Sequence, residues 1–342
     1  MSNKTVDKLL QVMRDANGTP LEPVRNALAV AAGRSFDIAF GIQSWHAKTE
    51  IVHPLSHLIA GQVGDPFDRW NVSDIKAFRA HFEEMLDYLP KKVLCTTADR
   101  SFACDGFTTN SRVFTPKRPR TGMTVVFLHG GGFVLGDFDS NDPECDKIAR
   151  ALGRVVISIG YPLSPEHKFP VALECVRAAL SSNGLVDEES FVLIGESAGA
   201  NLALAAVQSD PALLKRCRGL VLAYPFLDLT LSGETVKEYE SGFFLTKRLL
   251  EWFKGCYLEP DSDARDPRIS PLFGDTFGLP PSLVVVGEFD PLRSDAIRFA
   301  DKHPNARLEV FSGMIHGFLQ LRGLSPARNR ALDLIIDFIR SL

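Results

Sequence analysis

A serine in the pentapeptide Gly195-Glu196-Ser197-Ala198-Gly199 has the setting of an enzyme nucleophile. The apolar run 191–194 precedes it and an alanine-rich stretch follows, so the pattern predicts a strand, a tight turn and a helix. The two glycines leave room for a strained backbone at the serine. Because this five-residue pattern arises by chance in about one chain in ten of this length, its context must decide between a nucleophile and a packing turn.

Nucleophilic attack by a serine hydroxyl requires a base and a group that orients the base. His316 follows the last predicted strand between two glycines and is the candidate base. Asp290 follows another predicted strand and is the candidate orienting acid, with Glu288 in reserve, although Asp290 could instead only cap the next helix. The order serine, aspartate, histidine along the chain favours the catalytic interpretation.

Acyl transfer also requires hydrogen-bond donors for the negatively charged oxygen that forms on the carbonyl carbon. The run His129-Gly130-Gly131-Gly132-Phe133 follows a predicted strand and exposes several backbone N–H groups. We expect the N–H groups of Gly131, Gly132 and Ala198 to form this oxyanion hole. Glycine-rich loops also bind phosphates, but no Gly-Lys-Ser/Thr follows, which disfavours a nucleotide site.

The elements that would hold these residues alternate between apolar strands and helices. Buried parallel strands are predicted at 124–128, 155–159, 191–194, 220–222, 283–286 and 308–311, after an antiparallel entry at 93–97 and 112–115. Helices are predicted at 143–152, 169–180, 198–208, 292–301 and 327–342. The pattern predicts an α/β fold with a mostly parallel, doubly wound sheet of about eight strands, whose functional residues lie beyond the carboxyl ends of the strands.

Two segments fall outside this alternation and are predicted to form a helical cap. Residues 1–90 carry helical patterns, including 73–89, and are expected to form an N-terminal cap segment. Residues 229–265 are expected to be a cap insertion with a helix over 243–257. The core is then divided into a first part at 91–228 and a second part at 266–342.

Composition excludes several other classes of protein. The 38 basic and 42 acidic residues give a net charge of −4, which offers no general attraction to nucleic acid. No export signal is visible at the start of the sequence, and its apolar stretch 24–40 is interrupted by charges, so no membrane span and a cytoplasmic location are expected. The six cysteines lack the spacing of a metal site, which predicts free thiols and no bound metal. A disulfide between Cys95 and Cys104 across a hairpin remains an alternative.

Taken together, these motifs resemble those of the hormone-sensitive-lipase family of α/β-hydrolase esterases, from about residue 73 onward. The segment 129–133 is similar to the family's HGGGF, and 161–170 is similar to its YRLAPE-x-x-FP. Further matches are Tyr224-Pro225 with Asp228, the segment 290–293, and His316-Gly317-Phe318. The sequence departs from the family at Glu196, Ala200 and Pro162, where aspartate, glycine and arginine are more common.

The resemblance implies an α/β-hydrolase fold with a helical cap over an acyl-binding cleft. It implies a serine carboxylesterase that hydrolyses small esters of short to medium acyl chain through an acyl-enzyme and needs no cofactor. Homodimers are frequent in the family, and the sequence leaves this point open. A lipase or an amidase or deacetylase using the same residues, and a non-catalytic ligand-binding receptor on the same fold, are the alternatives.

Overall fold

The computed structural model describes residues 75, 79–80, 82, 91–104, 106–181, 184–186, 188–241, 243–322 and 325–342. The predicted cap segment 1–90 therefore lies almost wholly outside the described residues. Its described members, Ile75, Arg79, Ala80 and Phe82, are helical. Within the described part of the chain, no helix combines the length and the apolarity needed to cross a bilayer.

An eight-stranded sheet with strand order β1-β2-β4-β3-β5-β6-β7-β8 forms the centre of the fold. The strands are β1 Thr96–Cys104, β2 Phe107–Thr115, β3 Arg120–Leu128, β4 Arg154–Ile159, β5 Phe191–Glu196, β6 Cys217–Ala223, β7 Ser282–Phe289 and β8 Ala306–Ile315. In this sheet order, the first two pairs, β1 with β2 and β2 with β4, are antiparallel. The five pairs that follow are parallel. The prediction of a mostly parallel sheet of about eight strands is confirmed.

Helices connect the parallel strands and bury their apolar faces against the sheet. They are α1 Asp142–Leu152, α2 Val171–Leu180, α3 Ala198–Ser209, α4 Pro211–Arg216, α5 Glu234–Glu238, α6 Lys247–Tyr257, α7 Arg293–Lys302 and α8 Pro326–Ser341, with 3-10 turns at Pro271–Phe273 and Phe318–Gln320. Helix α3 packs on β5 and against α2, while α8 packs against α1. Every residue of β5 and nearly every residue of α3 is buried, because this unit crosses the middle of the molecule.

The register of the parallel strands brings the chemically important loops together. Leu128 at the end of β3 pairs with Gly195 of β5, which places the glycine-rich loop beside the turn that carries Ser197. Phe289 at the end of β7 pairs with Ile315 at the end of β8. The residues that follow these two strands, Asp290 and His316, are therefore neighbours.

The first strand differs from its prediction. It begins at Thr96 instead of residue 93 and continues to Cys104, where it turns into β2. Most of β1 is exposed at the edge of the sheet, so it lacks the apolar alternation that marks a strand in sequence. Cys95 directly precedes this strand and Cys104 ends it, so the two cannot face each other across the hairpin, and none of the six cysteines, all of which the structure describes, forms a disulfide.

The helix predicted over 243–257 is shorter than expected. Helix α6 begins only at Lys247, after Thr246 accepts a hydrogen bond from the N–H of Leu249 at 3.1 Å. Phe244, inside the predicted helix, has a φ of 73°, which is incompatible with a right-handed helix. The threonine cap, together with the separate short helix α5, thus divides the inserted segment into two helical pieces.

A buried ion-pair cluster joins α1 to the last part of the chain. Glu144 of α1 is fully buried and receives hydrogen bonds from Arg322 at 2.8 and 3.1 Å and a further one from Arg328. Arg322 is itself only 2% exposed. The two guanidinium groups compensate the desolvation of the carboxylate, so removal of its charge would leave both arginines buried without their partner.

We predict that Glu144→Gln lowers the free energy of unfolding by about 3 kcal/mol, because it leaves buried positive charge uncompensated. Urea unfolding of the variant and of the wild-type protein measures the difference. Glu309→Gln, which removes an exposed partner of Arg307 on β8, is the matched control and should change stability by less than about 1 kcal/mol. Equal effects of the two substitutions would contradict the prediction.

Candidate active site

Ser197 lies on a strained turn between β5 and α3. Its φ and ψ are 52° and −111°, a conformation that side-chain-bearing residues rarely adopt. A Cβ on Gly195 would overlap the backbone of Gly199 and Ala200, and a Cβ on Gly199 would overlap the carbonyl oxygens of Leu128 and His129. Both glycines of the pentapeptide are therefore required by close backbone approach, and the turn presents the serine hydroxyl at the end of the sheet.

His316 contacts both Ser197 and Asp290. Its Nε2 lies 3.0 Å from the serine Oγ, and its Nδ1 lies 2.9 and 3.1 Å from the two carboxylate oxygens of Asp290. A carboxylate only accepts hydrogen bonds, so Nδ1 carries the ring proton and Nε2 is left to accept the hydroxyl proton. The structure thus brings the three residues singled out in the sequence into one hydrogen-bonded line.

Asp290 holds a second hydrogen bond that fixes its carboxylate. It is fully buried, and its Oδ1 accepts the backbone N–H of Leu292 at 2.8 Å, ahead of α7. Helix-terminal capping and orientation of His316 are therefore compatible roles of one side chain. The reserve candidate Glu288 points elsewhere, since its Oε2 accepts from the Ser312 hydroxyl and the Gly313 N–H at 2.7 and 2.8 Å.

The glycine-rich loop lies directly against the serine turn. A Cβ on Gly130 would come within 3.5 Å of the Cβ of Ser197. Gly131 and Gly132 have φ values of 116° and 61°, and the carbonyl of Gly131 accepts from the N–H groups of Val134 and Leu135 at 3.0 and 2.8 Å. Ala198 occupies the first position of α3, where N–H groups have no acceptor within the helix. The three predicted oxyanion donors therefore lie on the two segments that meet at Ser197.

His129, the first residue of this loop, has a supporting role. Its ring is buried, stacks on the ring of Tyr161 at 4.2 Å, and lies 2.7 Å from the carbonyl oxygen of Gly130 through Nδ1. The Tyr161 hydroxyl donates to the His129 carbonyl at 2.9 Å. Burial lowers the pKa of His129 to about 4, so the ring is neutral near pH 7.

An aromatic residue from the inserted segment covers the glycine-rich loop. The ring of Phe253 on α6 occupies the space where a Cβ of Gly132 would stand. Phe253 is only 5% exposed and joins the main apolar core. Spacing along the sequence indicated that this helix is apolar but could not show which of its aromatic residues contacts the loop.

Another buried residue was missed as a functional candidate. Glu196, which the sequence marked only as a departure from the family pattern, is 2% exposed and accepts a hydrogen bond from Gln320 at 2.9 Å. The two residues are 124 positions apart in the chain. No local sequence signal could have paired them.

A parallel sheet with a serine on a strand-to-helix turn, and with an aspartate and a histidine after later strands, defines an α/β-hydrolase. Accordingly, a family model described as an alpha/beta hydrolase fold matches residues 125–320. The chain belongs to this family, in the hormone-sensitive-lipase type of α/β-hydrolase carboxylesterases.

Individual relatives are esterases. The chain is 30% identical to an ethyl acetate hydrolase of Pseudomonas putida over 69% of its own length and 79% of that protein. It is 32% identical to a carboxylic ester hydrolase, LipN, of Mycobacterium tuberculosis, over 78% of this chain and 76% of that one. A hyperthermophilic esterase from Pyrobaculum calidifontis superposes with a TM-score of 0.78 and 30% identity, covering 85% of this chain and 97% of that chain.

We predict that Gly132→Ala lowers ester hydrolysis at least about tenfold, because the new methyl group would overlap the Phe253 ring and move the loop. The measurement is kcat/KM with p-nitrophenyl butyrate. Gly278→Ala is the matched control, since Gly278 also has a positive φ, 76°, but has open space around a Cβ. It should lose some stability through backbone strain and keep the wild-type rate.

Introduction of Phe253→Ala into the Gly132→Ala variant should restore part of the lost rate, because it removes the ring that the methyl group meets. No recovery in the double variant would show that backbone strain at Gly132, and not the contact with Phe253, limits the rate.

Proposed function

We propose that the protein is a serine carboxylesterase that works through Ser197, His316 and Asp290 and forms an acyl-enzyme on Ser197. The observation that carries the proposal is the hydrogen-bonded line from the Ser197 Oγ through His316 to Asp290, with separations of 3.0 and 2.9 Å. It stands in a chain whose relatives are named as esterases.

In the first half of the proposed reaction, the Ser197 Oγ attacks the ester carbonyl carbon while His316 Nε2 takes the hydroxyl proton. The carbonyl electron pair moves onto the oxygen, where the N–H groups of Gly131, Gly132 and Ala198 stabilise the negative charge. Collapse of this intermediate expels the alcohol, which receives the proton from His316. The carboxylate of Asp290 stabilises the imidazolium that exists between these two proton transfers.

In the second half, a water molecule attacks the acyl-enzyme and gives a proton to His316 Nε2. The same oxyanion donors stabilise the second intermediate, and its collapse releases the carboxylic acid and returns the proton to Ser197. Every proton that His316 takes is given back within the cycle, so the proposed reaction returns the enzyme to its starting state.

We further propose that residues 229–265 form part of a cap that limits the acyl chain to short or medium length. The support is the position of α6, whose Phe253 covers Gly132, and of Tyr257, whose ring stacks on Phe133 of the glycine-rich loop at 3.8 Å. Hydrolysis of a small ester such as ethyl acetate by a relative is consistent with a confined site. Residues 1–90 are proposed to complete this cap.

We predict that Ser197→Ala reduces kcat for p-nitrophenyl butyrate by at least about a thousandfold, because the nucleophile is lost. Asp290→Asn should reduce kcat by a similar factor, because the asparagine no longer holds His316 in the correct tautomer. Ser101→Ala, on the exposed strand β1, is the control and should retain full activity. Mass spectrometry after treatment with a p-nitrophenyl phosphonate should find the adduct on Ser197. A Ser197→Ala variant with the wild-type rate would refute the mechanism.

We predict that kcat/KM falls as the acyl chain of p-nitrophenyl esters lengthens beyond medium length, and that emulsified long-chain triglyceride is hydrolysed poorly. The physical reason is the steric limit set by the aromatic residues over the glycine-rich loop. Matched ester and amide substrates separate an esterase from an amidase. Faster turnover of the triglyceride, or of the amide, would assign the protein to the lipase or the amidase alternative instead.

A further inference from the structure

We infer that Glu196 is a positioning residue of this site: its buried carboxylate joins the turn of Ser197 to the loop of His316 through Gln320 and fixes the distance between nucleophile and base. The inference rests on the proposed function. Glu196 directly precedes Ser197, and Gln320 lies in the 3-10 turn that follows His316, so one hydrogen bond of 2.9 Å connects the two catalytic segments.

The orientation of the Gln320 amide is determined by its other end. Its Oε1 accepts a hydrogen bond from Arg322 at 2.8 Å, and an arginine can only donate. The amide nitrogen must therefore face Glu196, and a residue at position 196 must offer an acceptor. Arg322 also donates a hydrogen bond to Glu144 of α1, so the partner that orients the Gln320 amide is itself held in place.

Glu196 also lies near Tyr224, a residue whose ring packs against His316. The ring of Tyr224 packs edge to face against the His316 imidazole, with ring centres 4.9 Å apart. Burial, and then the nearby charge of Glu196, raise the pKa of Tyr224 well above its usual value. In addition, a Cβ on Gly130 would lie 3.3 Å from the Glu196 carbonyl oxygen. Glu196 thus lies against the glycine-rich loop and near Tyr224, the ring that packs on His316.

The surroundings of Glu196 leave its ionisation balanced near neutrality. Burial, and the like charge of Glu144, raise its pKa to about 7, while the hydrogen bond from Gln320, the nearby Asn141 side chain and the charge of Arg322 oppose the rise. The other titratable groups near Glu196 are Cys145 of α1, Tyr161 and Tyr224, and each has a pKa raised well above its usual value by burial. These groups stay neutral near pH 7, so the carboxylate of Glu196 is the member of this cluster that changes charge there.

A carboxylate is better suited to this position than an amide. Its Oε2 accepts from Gln320, and a charged acceptor forms a hydrogen bond about twice as strong as the neutral oxygen of a glutamine would. Its Oε1 is buried and has no hydrogen-bond partner among the described residues. The charged form is also unfavourable for stability. The pKa of Glu196 is higher in the folded protein than the ordinary value of 4.5, so the stability of the folded state falls as the pH rises from about 4.5 to about 7.

A double-mutant cycle tests the link between the two segments. Glu196→Ala, Gln320→Ala and the double variant are compared in kcat and KM for p-nitrophenyl butyrate. We expect each single change to lower kcat about tenfold, as for the loss of one hydrogen bond to a charged group, with little change in KM. The double variant should be no slower than the slower single variant. Multiplied effects, or an unchanged kcat in both single variants, would overturn the inference.

Glu196→Gln gives an independent test, which can still be carried out if the alanine variants fold poorly. Near pH 6, where Glu196 is protonated, the kcat of the variant should equal that of the wild type. Above pH 7 the kcat of the variant should be lower than that of the wild type. Its thermal unfolding temperature at pH 8 should equal or exceed that of the wild type, because the variant avoids a buried charge. A kcat ratio independent of pH, or a loss of rate that merely follows a loss of stability, would indicate a structural role only.

Asp146→Asn is the matched control for a buried carboxylate away from the site. Asp146 of α1 is buried and accepts the N–H groups of Leu94 and Cys95 at 2.7 Å, just ahead of the edge strand β1. It should lower stability and leave kcat and its pH dependence unchanged. Ser197→Ala is run beside these variants: if it is inactive while Glu196→Gln and the cycle show no effect, the positioning role fails and the proposed function stands.

Discussion

The close approach of the Ser197 turn to its neighbours is the constraint on which the whole site depends. The backbone at Ser197 is held in its unusual conformation because its N–H donates to Ala223 at 2.9 Å and its carbonyl accepts from Phe226 at 3.2 Å, both from the end of β6 and the loop beyond it. On the other side, Gly130 and Gly199 let the glycine-rich loop reach the serine. The neighbouring strands therefore maintain the strain, and the strain in turn presents the hydroxyl to His316.

The sequence was sufficient for the parts of the fold that combine burial with local pattern. Strands β5 and β7 and the second half of β3 are apolar runs because both of their faces are covered, and the loops after them are marked by glycine, proline and single polar residues. For the same reason Ser197, Asp290 and His316 could be selected before their contacts were known. The exposed strand β1 was predicted with the wrong bounds, 93–97 instead of Thr96–Cys104, because most of its residues face solvent and carry no apolar pattern.

The remaining parts depend on contacts between distant segments, which no local pattern encodes. The start of α6 is set by one threonine cap and by the left-handed backbone of Phe244, and the contact of Phe253 with Gly132 joins residues more than a hundred positions apart. The hydrogen bond from Gln320 to Glu196 belongs to the same category. Phenylalanine, threonine and glutamine are ordinary residue types. The role of these particular side chains becomes visible only when the residue that each contacts is known.

The buried cluster of Glu144, Arg322 and Arg328 has a consequence for how the protein is made. During synthesis Glu144 and Ser197 leave the ribosome before the two arginines and Gln320, so the early segments at first lack the contacts that hold them in the folded protein. Until Gln320, Arg322 and Arg328 are in place, Glu144 lacks its two guanidinium partners and Glu196 lacks the hydrogen bond from the Gln320 amide. His316, the proposed base, also belongs to this later part of the chain, so Ser197 gains its hydrogen-bond partner only when that part folds onto the sheet.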